Sequence, residues 1–470
     1  MVFSSMIFLW LFLPIVLILY FISNNKFKNI ILLLSSLLFY AWGEPKYIIL
    51  MLISIIMNYI FGMLIDKYRK KDKLFLTLAI ILNLGLLGYF KYYNFFTTNI
   101  NKIFSHEMFG VKNIILPIGI SFYTFQILSY VIDLYRREIK VQKNIFNLAL
   151  YVSFFPQLIA GPIVKYKDIE DEINDRKVDL ELFASGVRKF VYGLGKKVIL
   201  ANTLALIVDT IYSYDISQLN TPIVWLAAIS YTLQIYFDFS GYSDMAIGLG
   251  RMFGFHFPKN FNLPYISQSI TEFWRRWHIS LSTWFKQYLY IPLGGNRKGK
   301  IRTYINLFIV FFATGLWHGA SWNFVVWGGV FYGTILVIEK LFLKKLLDKN
   351  KFKVLNHIYV MLIVIVGWVL FRAEGLSKAL DIIRLMFSFD FKTIYIFMPT
   401  IINKRVILIL LSAIILCGPA QKIILSLHNK EKLKKFYINY FETITILLVL
   451  LISISELVAS TYNPFIYFRF

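Results

Sequence analysis

The sequence predicts an all-helical, polytopic membrane protein with about eleven transmembrane helices plus re-entrant or interfacial segments. Three observations predict it. Of the 470 residues, 58% are hydrophobic and only 16% charged. Apolar runs long enough to cross about 30 Å of hydrocarbon recur from end to end. Basic residues crowd the short segments between those runs, which is the positive-inside pattern of a multi-pass membrane protein, reinforced by attraction to anionic cytoplasmic lipid.

The runs fall, in order, around 4–23, 29–42, 46–65, 74–92, 113–134, 183–212, 222–250, 301–318, 322–343, 355–371, 403–425 and 437–460. The first has no basic residues before it and no small-residue cleavage pattern after it, so it reads as a retained helix. The basic clusters at 67–73, 136–143, 344–353 and 426–436 are placed in the cytoplasm, which puts the 43–46 turn and the 93–112 and 372–402 loops outside. A formal charge of +24 distributed this way points to membrane lipid and not to nucleic acid. The whole chain reads as one integral-membrane domain, with peripheral helices over 1–112, a motif-bearing core over 113–343 and further helices over 344–470.

Between 144 and 270 the pattern breaks. Phe155-Pro156, Gly161-Pro162, Phe257-Pro258 and Leu263-Pro264 interrupt apolar sequence, and proline at membrane depth is tolerated only against protein or a wet cavity. Broken or re-entrant helices are expected there. The mixed-charge stretch Lys165–Asp179 reads as a solvated loop. From Ser269 to Tyr290, Trp274, Trp277, Leu281, Trp284, Phe285 and Tyr288 recur at helical spacing with Arg275, Arg276 and Lys286 between them, which predicts one amphipathic helix lying in the cytoplasmic interface.

Two histidines stand out. His278 lies in Thr271-Glu-Phe-Trp-Arg-Arg-Trp-His-Ile-Ser280 and His318 in Thr314-Gly-Leu-Trp-His-Gly-Ala-Ser-Trp322. Counted from Arg302 at the cytoplasmic face, a helix rising about 1.5 Å per residue carries His318 about 24 Å into the membrane. An ionisable side chain at that depth is either functional or a buried structural histidine. An imidazole can take a proton from a hydroxyl during acyl transfer, or carry the acyl group itself. His278 is read as part of an interfacial segment nearer the donor side, and the two histidines are not assumed to form a touching dyad.

Asp238 and Asp244, in Tyr236-Phe-Asp-Phe-Ser-Gly-Tyr-Ser-Asp244, could orient a histidine, bind a cation or cap helices. The single cysteine, Cys417, excludes an intramolecular disulfide and any multi-cysteine metal site. No G-x-S-x-G elbow, phosphate loop, H-E-x-x-H or zinc spacing occurs, so no metal and no resident cofactor are expected. The absence of two related halves weakens a polysaccharide or ion transporter without covalent chemistry.

Eight motifs, in order, resemble the membrane-bound O-acyltransferase family, specifically its bacterial polysaccharide O-acetyltransferase branch. They are Leu116–Gln126, Phe154–Pro162, Tyr192–Lys197, Tyr236–Gly254, Glu272–Ser282, Tyr288–Arg297, Gly315–Ala320 and Asn463–Phe470. The resemblance implies a ring of helices around a thinned centre with a tunnel joining a cytoplasmic donor to an external acceptor. It also implies that His318 is the catalytic histidine, with His278 the second signature histidine. Trp274, Arg275, Arg276, Trp277, Trp317, Asp238 and Asp244 are the accompanying candidates for substrate binding.

The expected reaction is transfer of an acetyl group from a cytoplasmic thioester, with acetyl-CoA the expected cosubstrate, toward an exported or cell-envelope polysaccharide. A separate extracytoplasmic acyl-transfer partner is part of that expectation. D-alanyl transfer to teichoic acid, as in another bacterial branch, is the alternative. One departure is Gln287, where that branch carries an acidic residue.

Overall fold

Apolar runs become helices in the computed structural model, which describes residues 1–392, 402–421, 423 and 438–466. Among them there is no β-strand. The predicted cytoplasmic cluster at 426–436 and the last four residues of the Asn463–Phe470 motif lie outside the described residues.

Among the described residues, seven helical stretches are long and apolar enough to cross a membrane: Ile48–Lys67, Arg69–Phe104, Leu180–Ser213, Thr221–Met252, Trp322–Lys349, Lys353–Arg372 and Tyr440–Ala459. Several other expected spans are shorter, among them the Phe8–Ile22 stretch and the Ile120–Tyr135 helix. Burial separates lipid-facing helices from interior ones. The apolar window of Tyr440–Ala459 is 6% buried and must meet lipid, whereas that of Thr221–Met252 is 83% buried and packs among other helices.

The chain divides into two compact units, Met1–Phe190 with Ser243–Pro258, and Val191–Tyr242 with Lys259–Phe470. The motif-bearing stretch 113–343 contributes to both. In the first unit, helices Asn25–Gly43, Ile48–Lys67 and Asp72–Leu87 pack with Ile120–Tyr135 and Ile145–Ser153. The Ile145–Ser153 helix stops at Phe154, and a single turn, Phe155–Leu158, follows with Pro156 in its first positions, where a missing N–H is tolerated. The proline-marked break is therefore present. Phe155 sits in an aromatic cluster with Phe3, Phe8, Phe12 and Phe39.

Two local expectations change. The stretch predicted as a solvated loop contains a helix, Tyr166–Asn174, because Tyr166, Ile169 and Ile173 form an apolar stripe that is buried in full. The predicted interfacial helix from Ser269 to Tyr290 is three pieces: helix Ile270–Arg276, helix Ile279–Phe285 and a π-helical turn Lys286–Tyr290. Its aromatic face is inward, with Phe273, Trp274, Trp277, Leu281 and Trp284 all buried in protein.

Candidate active site

The break in the 269–290 segment is made at His278. Ser269 caps the first helix through its side chain, which accepts from the Glu272 N–H at 3.0 Å, while a Glu272 oxygen accepts from the Gln268 N–H at 2.9 Å. A second carboxylate reinforces this start. Glu339, fully buried, accepts from the backbone N–H groups of Ile270 at 2.6 Å and Thr271 at 2.8 Å and from the Thr271 hydroxyl at 2.7 Å. Negative charge at a helix N-terminus complements the helix dipole and its open N–H groups. The helix ends at Trp277, which is extended, and His278 follows with φ of +44°, in the left-handed region. A non-glycine residue held there costs about 1 kcal/mol or more, so its surroundings must fix it.

Asn260 does so. Its Oδ1 accepts from the Ser280 N–H at 3.2 Å and the Ser280 hydroxyl at 2.9 Å, and its backbone carbonyl accepts from the Ile279 N–H at 2.9 Å. The same Oδ1 lies 3.1 Å from His278 Nδ1. Because a backbone N–H can only donate, this Asn260 atom is the acceptor oxygen, and His278 must present Nδ1–H to it. Nε2 is then the basic nitrogen of a neutral imidazole. Burial works in the same direction, pushing the His278 pKa below the ordinary imidazole range.

His318 is the last residue of the Lys300–His318 helix and is buried. This helix packs on the π-helical stretch Val326–Gly333 through glycines. A Cβ on Gly328 would meet the Phe311 carbonyl oxygen at 2.5 Å and the Gly315 Cα at 2.7 Å, and one on Gly319 would meet the Phe324 ring at 2.3 Å. Only glycine permits the approach that seats His318 against the ring of Trp327, 5.3 Å between centroids, and that of Phe371, 5.1 Å.

The two histidine rings are 6.5 Å apart, centroid to centroid. That is too long for a direct ring-to-ring hydrogen bond. The two histidines, which the sequence did not assume to touch, are thus brought near one another. Trp317 packs edge-on to both, 5.8 Å from His278 and 4.9 Å from His318. Beside His318 lies a narrow cavity lined also by Ile235, Phe239, Trp277, Trp368, Phe371 and Ile466.

The remaining predicted residues are placed as follows. Trp277 walls the cavity, while Trp274 lies behind it against Phe311, Trp327 and Tyr332. Arg275 is exposed. Arg276 pairs with Glu272 at 2.8 Å and donates to the Asn262 carbonyl at 3.0 Å. Asp238 is buried and paired with the equally buried Lys197 at 2.8 Å. Asp244 belongs to the other unit, where it pairs with Lys189 at 2.7 Å. Gln287 sits on the π-helical turn, half-buried. Among the described residues, no three His, Cys, Asp or Glu side chains gather as metal ligands would.

Asn260, Glu339 and Lys197 were not singled out in the sequence. Asn260 carried one signal, its position between the breakers Pro258 and Pro264. Lys197 carried its place at the end of the Tyr192–Lys197 motif, though not its pairing with Asp238, 41 residues away; Glu339 carried none, because its partner Ile270 is 69 residues away in the chain.

Comparison with known proteins shows the family. The sequence profile of MBOAT, the membrane-bound O-acyltransferase family, matches residues 47–378. The chain belongs to this family. It is 41% identical, over the full length of both chains, to a protein of Pseudomonas putida described as a probable alginate O-acetylase. A Helicobacter pylori peptidoglycan O-acetyltransferase is 37% identical over 82% of this chain and 79% of its own. A teichoic acid D-alanyltransferase of Streptococcus thermophilus is 27% identical over 52% of this chain and 61% of its own. This membrane-bound O-acyltransferase is therefore a multi-pass acyltransferase, and the histidine pair is its candidate chemistry.

Proposed function

We propose that the protein transfers an acetyl group from a cytoplasmic thioester, acetyl-CoA, across the membrane toward hydroxyls of an exported or cell-envelope polysaccharide. The observation that carries this reading is the nearness of His278 to His318, which itself lines one small apolar cavity. The relatives described as acting on alginate and peptidoglycan supply the acceptor class.

In this reading His318 is the general base. It takes the proton of the attacking hydroxyl as that oxygen bonds to the thioester carbonyl carbon. The C–S bond then breaks, the thiolate leaves, and the imidazolium returns the proton to sulfur. His278, locked as the Nδ1–H tautomer by Asn260, keeps Nε2 as a hydrogen-bond acceptor, and its role in this reading is to accept from a hydroxyl of the acceptor and orient it. Thioester donors enter from the face carrying the basic loops, where Arg275 and Lys286 are exposed and Arg297 and Lys298 follow the next turn. The protein resides in the bacterial cytoplasmic membrane among anionic lipids. A separate extracytoplasmic acyltransferase completes delivery.

The D-alanyl reading has weaker support, since those relatives are less similar and match only about half of the chain. Mass analysis of envelope polysaccharides with and without the gene separates the two. Loss of O-acetyl esters supports the proposal. Loss of D-alanyl esters with acetyl content unchanged overturns it.

A further inference from the structure

We propose that Ile466, held by the Lys197–Asp238 ion pair, is the wall that limits the transferred acyl group to acetyl. The inference rests on the acyltransferase reading of His318 given above.

The cavity beside His318 has room for about one water-sized group. Apart from the imidazole its lining is entirely apolar, so it suits a hydrocarbon end and offers nothing to a hydroxyl or charged group. An acetyl methyl fits such a space, and a third carbon collides with the far wall. Five of the walls, Ile235, Phe239, Trp277, Trp368 and Phe371, belong to or directly adjoin helices. Ile466 comes instead from the segment after the Thr443–Ala459 helix.

What fixes it is polar and buried. The Ile466 N–H donates to Asp238 Oδ2 at 3.0 Å, and Asp238 Oδ1 lies 2.8 Å from Lys197 Nζ. Lys197 also donates to the Pro464 carbonyl, Asn202 donates to Asn463 Oδ1 at 3.1 Å, and Phe465 stacks on Tyr242 with centroids 4.6 Å apart. A buried ion pair adds little net stability over apolar packing, but it specifies one register for the backbone it touches. Here that backbone is the residue facing His318. Asp238 and Lys197 are accordingly positioning residues, acting through Ile466.

The test is the ratio of propionyl to acetyl esters on envelope polysaccharide in cells fed propionate, measured by mass spectrometry. Cells carrying the wild-type gene are compared with a deletion and with Ile466→Ala, Ile466→Val and Asp238→Asn. A pocket distinguishes one methylene by about 10-fold or more, so Ile466→Ala is expected to raise the ratio about 10-fold. Ile466→Val raises it less and carries the test if the alanine variant fails to accumulate. Asp238→Asn raises it by loosening the wall. An unchanged ratio in the variants, with acylation persisting, overturns the assignment of Ile466. Unchanged acylation in the deletion overturns the acyltransferase reading on which it rests.

Discussion

Asn260 Oδ1 lies 3.1 Å from His278 Nδ1 while accepting two hydrogen bonds from Ser280, so one side chain fixes both the tautomer of the histidine and the left-handed turn that carries it. An amide oxygen from a proline-bounded connection thereby controls the basic nitrogen of a signature histidine.

Replacing Asn260 by Ala removes the acceptor and leaves the Ser280 groups buried without it. The cost is about 1–3 kcal/mol in stability and about 10- to 100-fold in turnover, the range found when a partner that orients a catalytic or ligating histidine is lost. Asn260→Asp keeps an acceptor at the same place and should retain more activity than the alanine variant. Steady-state acyl transfer and thermal unfolding in detergent check both.

The Gly315–Gly328 contact predicts an asymmetry among glycine substitutions. Gly328→Ala drives a methyl into backbone at 2.5 Å and should cost about 1–3 kcal/mol, with loss of activity through displaced His318. Gly85→Ala, in the interior of the Asp72–Leu87 helix with nothing within 4 Å of its Cβ, should stabilise by up to about 1 kcal/mol. Melting temperatures of the two variants, measured side by side, should move in opposite directions.

Breaking one half of the buried Lys197–Asp238 pair strands the other. Lys197→Met alone should destabilise by about 3–5 kcal/mol, whereas Lys197→Met with Asp238→Leu should recover most of that loss. A double-mutant cycle by denaturant unfolding reads the coupling directly.

Glu339→Gln keeps the size of the side chain but removes the charge from the start of the Ile270–Arg276 helix. The expected cost is about 0.5–2 kcal/mol. Turnover should fall less than with Asn260→Ala, because Glu339 lies at the far end of the helix from His278. The ratio of the two turnover losses is the check.

Much of the membrane architecture was legible because hydropathy and loop charge are local properties. Both signature histidines were legible too, as ionisable residues beside tryptophan in apolar sequence. Their proximity was not, since it depends on how two segments 40 residues apart pack. The tryptophans around His278 keep helical spacing across a chain that is broken there, so periodicity alone could not find the break. It is set by Asn260, outside any window that reads the helix. The helix Tyr166–Asn174 was hidden for the opposite reason: its many charges outweighed three apolar residues that decide its burial.

The central claim is that His318 is the general base of acyl transfer. The direct measurement is the acyl content of envelope polysaccharide in cells whose only copy carries His318→Ala, with membrane levels of the protein measured in parallel. Transfer should fall by about 100- to 10,000-fold with the protein still accumulating. Acylation retained near the wild-type level at equal protein abundance would contradict the account.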